Sequence, residues 1–369
     1  MVVPGGVDRS GTERVIPALL WLIERVARDH RVTVIALGQE PQASTYELLG
    51  AQIINLAPAG PGSRALGGLL RRAVAAVGEA GKPDVIHGFW ASVSGLAAVL
   101  AGRRYRVPSI VSVAGGELLA MPEIGYGGAL GRGGRLIGST TMRLATHITV
   151  SSGWMAGHVR ARGFRVDDIV ALGVDTGAFS PGSSLRPYHL VHVASRNQVK
   201  DPFTLLRAFS LVKAEITEAT LEMIGVDVVD GAVERLVNEL QLSDSVAISD
   251  FVPSSRLADK YRAAAVHVLS SRHDAAPVVV LEAAACAVPT VGTRVGHVTD
   301  LAALDPPAAV AVAPNDPAAL SEAIIALIID PAHRAAMGQA ALGWAVAHDA
   351  DHTARAFSDL YARLARPAR

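Results

Sequence analysis

A single cysteine, Cys286, stands in a chain of 369 residues, which excludes a disulfide framework and a cysteine metal cluster and fits a reducing compartment. Aromatic residues make up only 5% of the chain. That leaves little for a nucleic-acid stacking platform, and no binding module for RNA or DNA is visible. The longest apolar runs, such as Val15 to Ile23, fall well short of the roughly 18 residues needed to span a bilayer. No signal peptide is recognisable, because the chain opens on a strand and a glycine loop. Only Met1 to Val3 precede Pro4, so the first strand is short and an upstream native start stays open. There is no H-E-x-x-H, no G-x-S-x-G elbow and no G-x-x-x-x-G-K-[ST], which argues against zinc, serine-hydrolase and P-loop chemistry. Asp349 to His352, DADH, reads as a polar helix junction, and no metal site is expected.

What is present is a compact α/β pattern. Half the residues are apolar and 18% are charged, and β-branched runs alternate with helical periodicity, the mark of parallel sheets wound through helices. Strands are expected at Val2-Val3, Val32 to Leu37, Ile53-Ile54, Val85-Ile86, Ser109 to Val113, Ile148 to Val150 and Ile169-Val170. A break rich in Gly, Pro and Ser at Gly177 to Pro187 reads as a linker. The alternation then restarts at Leu190 to Ala194 and runs to Thr290-Val291. Two Rossmann-like domains are therefore expected, 1–182 and 183–369. The second would end in helices from Pro317 to Leu364, with Asp316 as a cap before a proline at the first helical position.

Net charge is zero, yet the halves differ: 18 Lys and Arg against 13 Asp and Glu up to Gly182, and 16 against 21 beyond it. Between Glu123 and Asp167 the residues Arg132, Arg135, Arg143, Arg160, Arg162 and Arg165 occur without one acid. A solvated basic face accounts for them, and so does attraction to an anionic membrane surface or a phosphorylated lipid.

The segment from Ser271 to Pro289, SRHDAAPVVVLEAAACAVP, carries the most chemistry. Asp274 and Glu282 flank a turn and the start of a buried helix, whose first backbone N–H groups form an anion site beside two carboxylates. Arg196 and Lys200 follow the first strand of the second domain, where two cations could clamp a diphosphate and neutralise a leaving group. Gly5-Gly6 precedes an amphipathic helix, so its backbone could approach a phosphate. The spacing is not G-x-G-x-x-G, and the second strand ends in Gly38-Gln39 rather than an acid, which disfavours a nicotinamide cofactor. His87, in HGFW, and Glu117, in SVAGGE, sit where an open sheet places its crevice and are candidate acceptor contacts. A core histidine is the alternative for His87.

In the order and spacing of these motifs the chain resembles the family 4 glycosyltransferases, from PGG-x-x-R-x-GTE at the amino end to the two carboxylates. Asp274 stands where that family usually has Glu. Ala276 and Ala287 stand where it usually has Gly, and Ala114-Gly115-Gly116 where many relatives carry a histidine. The resemblance implies the GT-B architecture, with an acceptor-binding first half and a nucleotide-sugar-binding second half. It implies a retaining, metal-independent, hexosyltransferase-type enzyme with no cofactor, using a UDP-, GDP- or ADP-sugar as co-substrate and a sugar, glycolipid or small molecule as hydroxyl acceptor. Bacterial-type glycolipid, polysaccharide or glycoside synthesis would be the setting, and a cytoplasmic protein peripheral to the inner membrane face the location. Under it Arg196, Lys200, Asp274 and Glu282 are the catalytic candidates. Gly5, Gly6, His273, Pro277, Val278 and Val279 join them at the donor, with Glu282 on the ribose, Asp274 on the sugar and Pro277 to Val279 at the phosphates. Arg9, Gly115 and Gly116 join His87 and Glu117 at the acceptor. The alternatives are another GT-B enzyme, such as a nucleotide-sugar epimerase, or a non-catalytic nucleotide-sugar binder; a glycogen-type phosphorylase would need a pyridoxal-bearing lysine, and none of Lys200, Lys213 and Lys260 has suitable surroundings.

Overall fold

A computed structural model describes residues 1–365. The chain divides into two units, each built on its own sheet. In the first, strands β1 (Val2–Val3), β2 (Thr33–Ala36), β3 (Ser44–Leu48), β4 (Ala51–Asn55), β5 (Ile86–Phe89), β6 (Ser109–Val113), β7 (His147–Val150) and β8 (Asp168–Ile169) form one sheet. Their spatial order is β3-β4-β2-β1-β5-β6-β7-β8, parallel throughout except for the antiparallel β3–β4 pair. Helices α1 (Pro17–Asp29), α2 (Ser63–Glu79), α3 (Val93–Tyr105), α4 (Arg132–Leu144) and α5 (Gly153–Arg160) link the strands. Helix α1 begins with a proline and buries Leu19, Leu20, Leu22, Ile23 and Val26 on one face, the pattern of a helix laid on a sheet. Every residue of β5 and β6 is buried, as expected of parallel strands covered on both faces.

The second unit has β9 (His189–Val193), β10 (Thr220–Ile224), β11 (Val246–Ser249), β12 (Val266–Leu269), β13 (Thr290–Thr293) and β14 (Ala309–Val312) in the order β11-β10-β9-β12-β13-β14, all parallel. Helices α6 (Pro202–Glu215), α7 (Ala232–Glu239), α8 (Ser254–Ala263), α9 (Val278–Ala285), α10 (Gly296–Ala302), α11 (Pro317–Ile329) and α12 (Pro331–Ala347) complete it. Asp201, Asp316 and Asp330 each precede a helix-opening proline and accept a first-turn N–H, from Thr204, Ala319 and His333 respectively. These caps satisfy donors that the helix itself leaves unpaired. Between them α6, α11 and the sheet enclose Leu205, Phe209, Val212, Leu221, Val266 and Ile324.

The division of the chain differs from the expected 1–182 and 183–369. The second unit is Gly173–Asp349, because the Gly/Pro/Ser segment is packed rather than free. Phe179 within it is fully buried beside Tyr261, and Arg262 Nε donates to Ser180 O at 2.8 Å. The last helix, α13 (Ala350–Ala365), belongs to the first unit. Its apolar face carries Phe357 and Leu360, Thr353 Oγ1 donates to Ala171 O, and Arg25 pairs with Asp351 at 2.7 Å. A helical period shows that α13 has an apolar face but not which sheet it covers.

Candidate functional site

In the second unit the strand order reverses between β9 and β12: from β9 the sheet is built outwards through β10 to β11, and from β12 outwards on the other side through β13 to β14. Ligands of open α/β sheets bind at the carboxyl ends of strands at such a point. The two loops there, 194–201 and 270–277, are laced together. Ser270 Oγ donates to Lys200 O at 2.9 Å, the Arg272 N–H to Val199 O at 2.8 Å, and Arg272 Nε to Asp201 at 3.1 Å. As a result Lys200 Nζ ion-pairs with Asp274, although the two lie far apart in sequence. Asp274 and Lys200 remain partly exposed, whereas His273 is buried. Pro277 caps α9, so the first-turn residues Val278 and Val279, both half-buried, open the helix just beyond Asp274. Gly296 has φ 42°, and a Cβ there would stand 2.7 Å from Asp274 O and from Pro277 Cδ. Only glycine lets the next loop close behind the carboxylate.

One turn further along α9, Glu282 is buried and accepts a hydrogen bond from the Tyr261 hydroxyl at 2.8 Å. Burial pushes this carboxyl up to about 7, against the opposing pull of the Tyr261 bond. Tyr261 lies on α8, and nothing in local sequence ties it to Glu282. After α9, Ala287 takes φ 59°, the left-handed conformation that glycine usually supplies after a helix.

Arg196 turns away from this group. Its guanidinium is buried and hydrogen-bonds Gly225 O and, at 2.9 Å, Asp250, with Glu234 at 3.4 Å. Its backbone bonds Val226 O and the Val228 N–H. The expected pair of phosphate-facing cations is thus divided, with Lys200 facing Asp274 and Arg196 bracing the loops after β10 and β11.

In the first unit the glycine loop is engaged by Gln39. Its Oε1 accepts the N–H groups of Gly6 at 2.7 Å and Val7 at 3.1 Å; the amide stands at the strand end where a dinucleotide site would carry an acid. Gly5 lies beside the same amide, since a Cβ there would be 3.2 Å from Gln39 Oε1. Arg9, mostly exposed, is held by both oxygens of Glu40 at 2.7 and 2.8 Å. His87 is a core residue: it is buried within β5, Nδ1 bonds Tyr361 Oη at 2.8 Å and Nε2 bonds Ser112 Oγ at 2.7 Å. Burial also holds its pKa well below the ordinary histidine value, and neither ring nitrogen is left for an acceptor. Glu117, in contrast, sits at the carboxyl end of β6 with Gly115 and Gly116. Its Oε1 accepts the N–H groups of Ala91 and Ala114 at 3.2 and 3.1 Å, and burial raises its carboxyl above the usual range in spite of these bonds. Among the described residues no group of three metal-ligating side chains comes together, and no helix is long and apolar enough to cross a membrane.

The description "Glycosyl transferases group 1" matches residues 176–344, and "Glycosyl transferase 4-like domain" matches residues 15–175. The chain is 29% identical over 293 residues to a D-inositol 3-phosphate glycosyltransferase of Nocardiopsis dassonvillei, covering 71% of this chain and 67% of the relative. It is also 29% identical over 313 residues to D-inositol 3-phosphate glycosyltransferase 2 of Catenulispora acidiphila, with 78% and 72% covered. In fold it is similar to the sucrose-phosphate synthase of Thermosynechococcus elongatus, with a TM-score of 0.84, 20% identity and 98% of each chain covered. The HepE protein of Anabaena, solved in complex with UDP-glucose, gives a TM-score of 0.75 at 14% identity, over 98% of this chain and 99% of that one. Two adjoining family matches and two parallel Rossmann-like sheets agree with the motif order, and the chain belongs to the group 1, family 4 glycosyltransferases of GT-B fold.

Proposed function

We propose that the protein transfers a sugar from a nucleotide-diphosphate sugar, uridine being the first base to try, to a hydroxyl of a polyol or sugar acceptor with retention of anomeric configuration. The observation that carries this reading is the lacing of loops 194–201 and 270–277, which brings Lys200 onto Asp274 at the opening of α9, one turn before Glu282. Two relatives named for D-inositol 3-phosphate favour a polyol acceptor, and the complex of HepE with UDP-glucose favours a uridine donor.

Glu282 accepts hydrogen bonds from the ribose hydroxyls, and Asp274 from hydroxyls of the donor sugar. The N–H groups at the start of α9 and Lys200 Nζ meet the diphosphate. As the anomeric carbon–oxygen bond breaks, negative charge builds on the leaving phosphate, where a fixed cation stabilises the transition state more than the ground state. The acceptor oxygen bonds the anomeric carbon on the face the phosphate leaves, and its proton passes to the phosphate oxygen. No side-chain base and no metal are required. The exposed arginines of α4 and its surroundings, Arg132, Arg135 and Arg143, with Leu136 exposed among them, suit an anionic surface on the cytoplasmic membrane face.

The test is a screen of UDP-, GDP- and ADP-sugars reading released nucleotide, followed by NMR of the product's anomeric centre. Glu282→Ala should weaken donor binding by one to two orders of magnitude, matching roughly 1.5–3 kcal/mol for hydrogen bonds to a charged group. Inverted product would overturn retention, and wild-type donor affinity in the variant would overturn the donor site.

A further inference from the structure

The ion pair between Lys200 and Asp274 stands on backbone that is held on both sides. The Lys200 N–H donates to Asn197 Oδ1 at 3.0 Å, and its carbonyl accepts from Ser270 Oγ at 2.9 Å. Behind Asp274 the Gly296 backbone comes so close that a Cβ there would stand 2.7 Å from the Asp274 carbonyl oxygen. Only the side-chain ends are left to move. They are open to a ligand, since the Lys200 side chain is 27% exposed and that of Asp274 14%. Among the described residues neither charge has another ion-pair partner.

Both charges lie beside the start of α9, eight residues long, where Pro277 supplies no side-chain cap. The unpaired first-turn N–H groups of such a helix attract an anion. A diphosphate brought to this helix end therefore competes with Asp274 for the ammonium, and it sets negative charge against the carboxylate. While a sugar is attached, in the proposed donor geometry its hydroxyls donate to Asp274 and replace the ammonium that the diphosphate takes. Transfer removes those hydroxyls. It also turns the distal phosphate from a diester with a single charge into a monoester, whose charge is about −1.5 to −2 near pH 7. Carboxylate and phosphate then face one ammonium.

We propose that Asp274 is a release element as well as a sugar contact: it accepts the sugar-bearing nucleotide, then recaptures Lys200 and expels the nucleotide diphosphate once the sugar has gone. The proposal rests on the reading of loops 194–201 and 270–277 as the donor site. It adds to that reading a discrimination between the loaded and the spent donor, made by charge rather than by shape. Product release limits the turnover of many enzymes, so such a device acts on rate as well as on affinity.

The experiment measures, by calorimetry on the full chain without acceptor, the affinities of UDP, GDP and ADP and of UDP-glucose, GDP-mannose and ADP-glucose. Wild type is compared with Asp274→Asn and Asp274→Ser, each with Lys200 present and with Lys200→Met. Wild type should bind a nucleotide sugar more tightly than the matching free diphosphate. Both Asp274 variants should tighten the free diphosphate about tenfold, by loss of the competing charge, and should bind the nucleotide sugar no better than before. Two substitutions are used so that a folding failure in one leaves the other to decide. With Lys200→Met the gain should shrink to about threefold or less, because no ammonium is left to recapture. A diphosphate affinity unchanged or weakened in the Asp274 variants would overturn the release role, and so would a full gain without Lys200. Failure of wild type to bind any of these ligands overturns the donor-site reading together with the release role. Tight binding of a nucleotide sugar, with diphosphate affinity unmoved by Asp274→Asn, removes the release role alone.

Discussion

Two residues that stand four apart, Arg196 and Lys200, have different partners, the loops after β10 and β11 for the one and Asp274 for the other, and on the proposed function their variants should separate. Lys200→Ala should lower kcat by at least tenfold while the melting temperature stays close to wild type, because in the proposed donor site the partly exposed ammonium acts on charge that appears during transfer. Arg196→Ala should instead lower stability by about 1–3 kcal/mol, since it leaves the Gly225 carbonyl and the neighbouring acids without their donor. Equal loss of turnover at constant stability in both would return Arg196 to the donor site. Glu282 offers a second residue-scale test. With its carboxyl at about 7, donor affinity should rise as pH passes upward through that value and the carboxylate forms. The Tyr261 hydroxyl favours the ionised form, so Tyr261→Phe should move the midpoint to higher pH by about one unit or more, matching a charge-assisted bond of roughly 1.5–3 kcal/mol. A midpoint that stays put would mean that Glu282 is not the group that titrates. The carboxylate spacing was legible in sequence because both members lie on one short segment. Tyr261 was not, because α8 reaches Glu282 only through the packing of α8 beside α9.

At the scale of elements, α9 ends in Ala287 with φ 59°. An L-residue pays roughly 1 kcal/mol there, which glycine avoids, though glycine also loosens the unfolded chain. Ala287→Gly should therefore be neutral to stabilising, up to about 1 kcal/mol, a rise of up to about 2–4 °C in melting temperature for a unit of this size. A drop of several degrees would show that the Ala287 methyl is packed in a way its backbone does not reveal. Helix α4 gives another test. Its exposed arginines predict binding to vesicles containing anionic lipid at low salt, and neutralising Arg132, Arg135 and Arg143 together should abolish it, at about 1 kcal/mol for each charge near the surface. Added salt should do the same by screening. Indifference to vesicle charge would leave the arginines as a solvated face. One helix cap was read from the chain, Asp316 before the proline that opens α11, and the same Asp-Pro chemistry opens α6 at Asp201 and α12 at Asp330. Strand β3 was not, because Ser44–Leu48 is polar and half-exposed and is held by its antiparallel register with β4.

For the whole molecule, buried histidines set the response to acid. Burial lowers His192 to about 4, His267 to about 3 and His297 to about 4. Each is neutral in the fold and takes up a proton more readily when unfolded, near 6.5. The unfolded chain thus binds more protons below that value, and each histidine removes up to about 1.4 kcal/mol of stability per pH unit from 6.5 downwards until its own folded pKa is reached. Glu282, raised to about 7, acts the other way, its contribution being lost as pH rises from the ordinary carboxylate range towards 7. Burial lowers His87 in the same sense and raises Glu117 as it does Glu282, so four histidines outweigh two carboxyls in the window between pH 6.5 and 5, and the urea midpoint should fall steadily across it. A flat midpoint would show that these histidines are already charged in the fold.

The sequence by itself determined what depends on neighbours along the chain. The alternation of strands and helices, the caps, the place of Asp274 and Glu282 on either side of a helix start and the family resemblance all follow from periods and spacings of a few residues. Only the tertiary structure decided which groups meet. It gave α13 to the first sheet, closed His87 into the core between Tyr361 and Ser112, turned Arg196 towards the loops of β10 and β11, and brought Lys200 to Asp274. The reason is physical. Backbone conformation is chosen by local sterics and hydrogen bonding, whereas a side chain's partner is chosen by whichever distant element packs against it, and that choice leaves no periodic trace in the chain.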